Sequence, residues 1–196
     1  MSDAWATGKP DYTALDLPEA PHDRPYVIAN TVMSADGKSV IEGTEQGIGS
    51  EVDQRLMREL RVNADVVLNG AGTLRASGTS SRLGDEGLEA IRIARGKPRT
   101  PIAAVLSRTG DLPLERPFFT ARDFPAVVYL SEQAPEERRA AIAATGRPVV
   151  VGGADTLTAV AGERGFTRDE AKRLALLSAH PNPETNEVYL RYRVRR

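Results

Sequence analysis

DVVLNG, residues 65–70, is a short apolar run that stops at a glycine. Val66, Val67 and Leu68 leave no polar face, so the segment reads as a strand buried on both sides, the pattern of a parallel sheet. Three further runs repeat the theme: PIAAVLS at 101–107, PAVVYL at 125–130, and RPVVVGG at 147–153, the strongest strand in the chain. A fifth, YVIAN at 26–30, lies between Pro25 and a polar turn and is also predicted as a strand. Helical patterns stand between these runs. In SEVDQRLMRELRVNA (50–64), Ser50 caps the helix with Asp53 three residues on, and Val52, Leu56, Met57 and Leu60 form one apolar face. DEGLEAIRIARG (85–96) is a weaker helix, and TLTAVAGERG (156–165) reads as a short one. PEERRAAIAATG (135–146) is helical, with proline in its first turn and glycine at its end.

Strands alternating with helices define an α/β domain whose central sheet is mostly parallel and flanked by helices. EVYLRYRV (187–194) departs from that pattern. It alternates Val188, Leu190, Tyr192 and Val194 with Tyr189, Arg191 and Arg193, a period of two that predicts an antiparallel edge or interface strand. Residues 1–24 are polar, Pro-rich and carry the single Trp, Trp5. They are predicted as an N-terminal arm, flexible or draped over a neighbouring surface, ahead of one domain over 25–196.

Composition removes several function classes. The chain has 196 residues, enough for a substantial core, and 26 Lys+Arg stand against 27 Asp+Glu. That balance offers no bulk attraction to nucleic acid or anionic membranes, and the basic RYRVRR tail alternates along a strand. The absence of Cys excludes disulfides, thiolate metal sites and Cys nucleophiles. His22 and His180 lie in separate Pro-flanked loops, so no metal is expected. No apolar run is long enough to span a bilayer, and no basic-then-apolar leader opens the chain, so the expectation is a cytoplasmic protein without a membrane partner.

In an open α/β sheet, ligands gather at the carboxyl ends of the strands. Four predicted strand exits carry suggestive residues: NTVMSADGK (30–38), NGAGTLRASG (69–78), Ser107-Arg108 and Gly152-Gly153. Glycines there let backbone N–H groups approach phosphate oxygens. A hydroxyl beside a guanidinium suits a phosphate monoester. Taken singly, each has a plainer reading: a tight turn, a solvated arginine, a surface ion pair between Asp36 and Lys38. Their recurrence at successive exits is what favours a shared cleft.

RPYVIANTVMSADGKSV, GIGSEVDQRLMRELRVNADVVLNGAGTLRA, AAVLSRTGDLPLERPFF and EVYLRYRV, in that order, resemble the pyrimidine reductase domain of riboflavin biosynthesis, a family related in fold to dihydrofolate reductase. The resemblance implies an NADPH-dependent reductase of a small-molecule substrate, usually a homodimer. It delivers hydride to the ribosyl carbon of a diaminopyrimidine phosphate. It also implies roles. Asn30, Ser34, Asp36 and Lys38 form the substrate-side lip, where the chemistry of hydride transfer casts Lys38 as the catalytic charge stabiliser or proton donor and Asp36 as the group that orients Lys38 or a water. Ser50 and Asp53 contact the substrate, and Gly70, Ala71, Gly72 and Thr73 form the cofactor turn. Ser107 and Arg108 hold the adenosine 2′-phosphate. The family's Glu-Gly-Gly-Pro loop has no full counterpart: either Gly152-Gly153 stand in for it, with Val151 in place of Glu, or the loop and its strand are absent. A competing reading is a non-catalytic relative that keeps the scaffold for ligand binding or assembly.

Overall fold

The computed structural model describes residues 10–20, 22, 25–38, 48–152 and 174–194. Trp5, Gly153 and the predicted helix at 156–165 lie outside them. Eleven elements follow in order among the described residues: α1 (Glu51–Asn63), β1 (Val66–Gly70), α2 (Ala71–Ala76), α3 (Glu86–Ala94), β2 (Ile102–Ser107), α4 (Pro117–Thr120), β3 (Ala126–Ser131), α5 (Glu136–Ala144), β4 (Val149–Gly152), β5 (Leu174–Asn182) and β6 (Glu187–Val194).

The four apolar runs pair as a parallel sheet in the order β1-β2-β3-β4. Each strand is laid beside the one before it, and α2, α4 and α5 pack on one face of the sheet, while α3 packs against α1. One core cluster records the result. Leu74 of α2, Phe118 and Phe119 of α4 and Ile142 of α5 pack with Ala103, Val105, Ala126, Val128 and Leu130 of the sheet. On the opposite face, Val66, Leu68, Ile102 and Val150 are exposed. The strand at 65–70 is therefore not buried on both sides as predicted: it is an edge strand with one covered face, and its burial alternates.

YVIAN does not form a strand. Residues 25–30 take no regular secondary structure, with Tyr26, Val27 and Ile28 exposed, because an apolar β-branched run becomes a strand only where a neighbour supplies its hydrogen bonds. The antiparallel strand at 187–194 is present, paired with β5 in a separate two-stranded sheet. β5 was not foreseen. LALLSAHPN has no alternation, its register slips between Leu176 and Ser178, and it contains a proline near its end.

α1 begins as predicted: the Ser50 side chain accepts hydrogen bonds from the backbone of Val52 and Asp53. Its buried stripe is different, however. Leu56, Glu59 and Val62 face inward, while Met57 is exposed. Glu59 is tolerated there because its carboxylate takes the Tyr12 N–H at 3.0 Å and pairs with Arg55 Nε at 3.1 Å. The Tyr12 contact, together with Asn63 Nδ2 donating to Tyr12 O and Arg95 donating to Thr13 O, lays residues 12 and 13 along α1 and α3.

Two buried arginines serve as internal clamps. Arg92 of α3 donates through Nη1 to the carbonyls of Arg61, Val62 and Ala64, at the end of α1, and through Nε to Pro98 O. Arg147, just before β4, donates to the carbonyls of Phe118, Ala121 and Phe124. No described helix is long and apolar enough to cross a membrane.

Candidate active site

β1 ends at Gly70, β2 at Ser107, β3 at Ser131 and β4 at Gly152, and the pairing sets Ser107 beside Leu130 and Ser131 beside Gly152. Three of the four predicted strand exits thus share the carboxyl edge of one sheet. The first does not, because 26–30 is not a strand.

Gly70 is the N-cap of α2, and Ala71, Gly72 and Thr73 form the first turn of that helix. A Cβ at Gly70 or Gly72 would meet no heavy atom within 4 Å, so the backbone here borders open space. Ser107 is buried, and its hydroxyl accepts the Gly110 N–H at 3.0 Å, which tightens the turn that presents Arg108 to solvent. Ser131, which the sequence reading passed over, is fully buried and accepts the Gln133 N–H at 3.1 Å. A signal for it exists: PIAAVLS and PAVVYLS end in the same residue.

The 34–38 turn closes on itself. Ser34 N–H donates to Lys38 O at 2.9 Å, Lys38 N–H donates to Ser34 Oγ at 3.0 Å, and Gly37 sits at φ +81°, a backbone state that L side chains rarely adopt. Asp36 is held between Lys38 Nζ at 2.8 Å and the Ser34 hydroxyl. The Lys38 contact, and then that of Ser34, hold the Asp36 carboxyl below the usual carboxylate range. Asn30, at the head of the stretch, is exposed. Among the described residues the polar contacts of Ser34, Asp36 and Lys38 are internal to the turn.

A third cluster surrounds the start of α1. Ser50 N–H donates to Glu187 Oε1 at 2.7 Å, and Ser50 Oγ donates to Glu187 Oε2 at 2.5 Å. Oε2 also accepts the Thr185 hydroxyl at 2.8 Å and the Tyr189 hydroxyl at 2.5 Å. Burial works to raise the Glu187 carboxyl, but the bonds from Ser50, Tyr189 and Thr185 outweigh it and hold the group below its ordinary value. Asp53, one turn into α1, moves the other way: half-burial raises it first, and the Glu187 charge adds to that. A Cβ on Gly49 would stand 2.8 Å from the Asp53 carboxyl carbon, so any larger residue there displaces the carboxylate. Glu187 escaped the sequence reading because nothing local links residues 137 apart.

The remaining features offer less chemistry. A cavity of about 200 Å³ lies between Arg82, Gly84, Glu89, Arg99, Thr100 and Asp123, near the starts of β2 and β3 rather than their ends. Its charges already pair, Arg82 with Asp123 and Arg99 with Glu89. No group of His, Cys, Asp and Glu suited to a metal ion occurs among the described residues.

The RibD C-terminal domain family matches residues 25–180. Three similar proteins bear the name 2,5-diamino-6-ribosylamino-4(3H)-pyrimidinone 5′-phosphate reductase. The Aquifex aeolicus protein is 27% identical over 67% of this chain and 56% of its own length. The Methanothermobacter thermautotrophicus protein is 31% identical over 66% of this chain and 56% of its own. The Archaeoglobus fulgidus protein is 32% identical over 59% and 52%. The chain thus spans about half the length of these relatives. In fold it resembles the crystal structure of a pyrimidine reductase-like protein from Corynebacterium diphtheriae, with a TM-score of 0.71 and 18% identity over 85% of this chain and 90% of that one.

Proposed function

This chain belongs to the RibD C-terminal domain family, and on that premise we propose that it is a cytoplasmic, NADPH-dependent reductase of a ribosylated diaminopyrimidine phosphate or a related small heterocycle. The observation that carries the reading is the carboxyl edge of the parallel sheet, where Gly70, Ser107 and Gly152 end three strands on one side. The open backbone at Gly70 and Gly72 and the exposed Arg108 suit a dinucleotide phosphate. When bound, NADPH supplies hydride for the sugar carbon.

The residues of the chain do the rest. Arg108, beside Ser107, holds the 2′-phosphate. Gly70 to Thr73 receive the cofactor, and Gly152, at the end of β4, takes its pyrophosphate. Asn30, Ser34, Ser50 and Asp53 hold the substrate. Lys38 stabilises the charge that develops when the sugar carbon is reduced and delivers the proton, and Asp36 orients it.

Titration with NADPH and NADH, read by nicotinamide fluorescence, tests the cofactor assignment. We expect the wild type to prefer NADPH and Arg108→Ala to lose on the order of tenfold in NADPH affinity while NADH binding stays put. Equal affinity for the two cofactors, or no response to either, would overturn it.

The same reading takes the protein to be a homodimer. The supporting feature is the outer face of the hairpin, where Leu176, Val188, Leu190 and Tyr192 are exposed together while Tyr189, on the other face, is buried. Leu190→Arg places a charge in that stripe. Sedimentation equilibrium is expected to show a wild-type dimer and a monomeric variant; a monomeric wild type would exclude the assignment.

A further inference from the structure

Glu187 makes more bonds than a helix cap needs. Ser50 already caps α1 through its own hydroxyl, which accepts the N–H groups of Val52 at 3.1 Å and Asp53 at 3.3 Å. The N–H of an N-cap finds its partner in water or in a side chain of the helix's own first turn. Here both oxygens of one carboxylate, arriving from β6, take the Ser50 N–H and its hydroxyl proton. Thr185 and Tyr189 then fix that carboxylate from within the hairpin. The geometry points to Glu187 as a positioning residue that locks the first turn of α1, so that Ser50 and Asp53 meet the substrate in one arrangement.

A purely structural anchor explains the bonds to Ser50, and a negative charge at a helix start is favourable in itself. It does not explain why the fold keeps a second carboxylate within reach of that charge. Asp53 is disfavoured as an anion by its burial and by Glu187. Tyr12, Glu59, Tyr189 and Arg191 are the other titratable and charged groups gathered here, from the N-terminal segment, α1 and β6. Paired acids driven in opposite directions are a mark of sites that bind or transfer protons. Glu187 thus fixes the cap of the turn that carries Asp53 and adds to the burial that disfavours the Asp53 anion.

The inference rests on the reading that the start of α1 faces the substrate, and the test separates the two. Wild type and Glu187→Gln are compared for substrate turnover across pH. The glutamine keeps the shape and one acceptor oxygen but removes the charge. We expect substrate KM to rise on the order of tenfold with the KM for NADPH unchanged. The acid limb of kcat/KM should move to lower pH, because removing the neighbouring charge lets Asp53 ionise earlier. A structural anchor alone would lower stability without moving that limb.

Thermal stability supplies a readout independent of turnover. A carboxyl whose folded pKa is raised takes up protons on folding, so stability falls as pH rises through its titration. Asp53→Asn should therefore raise Tm at neutral pH, lose that gain at acid pH, and gain less when Glu187 is already glutamine. An active wild type whose KM and pH limb are indifferent to Glu187→Gln would overturn the inference alone. A wild type without turnover would overturn the reductase reading and this inference with it.

Discussion

Replacing Lys38 with alanine should reduce turnover on the order of a hundredfold to ten-thousandfold, the range associated with removing a positioned proton donor. It should leave the fold intact. The Lys38 and Asp36 side chains are 69% and 59% exposed, and an ion pair so open to water contributes little to stability. Tm and NADPH affinity are therefore expected to match the wild type while product formation collapses. Lys38→Arg should not restore it, since a guanidinium keeps its proton throughout the working pH range. Asp36 is held ionised to below the usual carboxylate range by Lys38 and Ser34, so it should contribute no acid limb near neutrality. Steady-state kinetics alongside thermal unfolding checks all of this. Unchanged turnover in Lys38→Ala would mean that the 34–38 turn is an ordinary surface turn.

The largest loss of stability is expected at Arg92. The side chain is 1% exposed and serves four carbonyls, three of them at the end of α1. Arg92→Met fills much of the same volume but leaves four acceptors without that donor, in one buried and three partly buried sites. Unmet buried acceptors cost about 1–3 kcal/mol each before relaxation, and with water reaching some of them the net loss should be about 3 kcal/mol. For a chain of this size that corresponds to a fall in Tm of about 6–12 °C. Urea unfolding should show a lower midpoint with the slope unchanged. Lysine should fail as well, because a single ammonium cannot serve carbonyls on both α1 and the Pro98 turn. A loss below about 1 kcal/mol would show that water takes over the arginine's bonds.

The sheet was legible because its strands are short apolar runs bounded by proline, glycine or serine, a signal that needs no knowledge of the partner strand. Burial was not legible. The run at 65–70 read as buried on both faces, yet among the described residues it forms an edge of the four-stranded sheet and leaves one face open. YVIAN failed for the related reason that strand composition does not supply a neighbour. The 187–194 alternation gave the antiparallel strand. What it could not give was the inward side, which is the one bearing Glu187, Tyr189 and Arg191. At the site, the glycine and serine exits could be read locally. Glu187 could not, because it depends on a contact across the chain; Ser131 had only the weak signal that its strand ends in the same residue as PIAAVLS.

The central claim is that this chain uses NADPH to reduce a ribosyl carbon. The direct measurement is incubation of the purified protein with NADPH and the diaminopyrimidine ribosyl phosphate, following nicotinamide absorbance and identifying the product by mass. Consumption of NADPH in step with a product two hydrogens heavier, carrying an open ribityl chain, is the expected result. Stable NADPH and unchanged substrate, from a protein shown to be folded, would contradict it and leave the scaffold as a binding or assembly module.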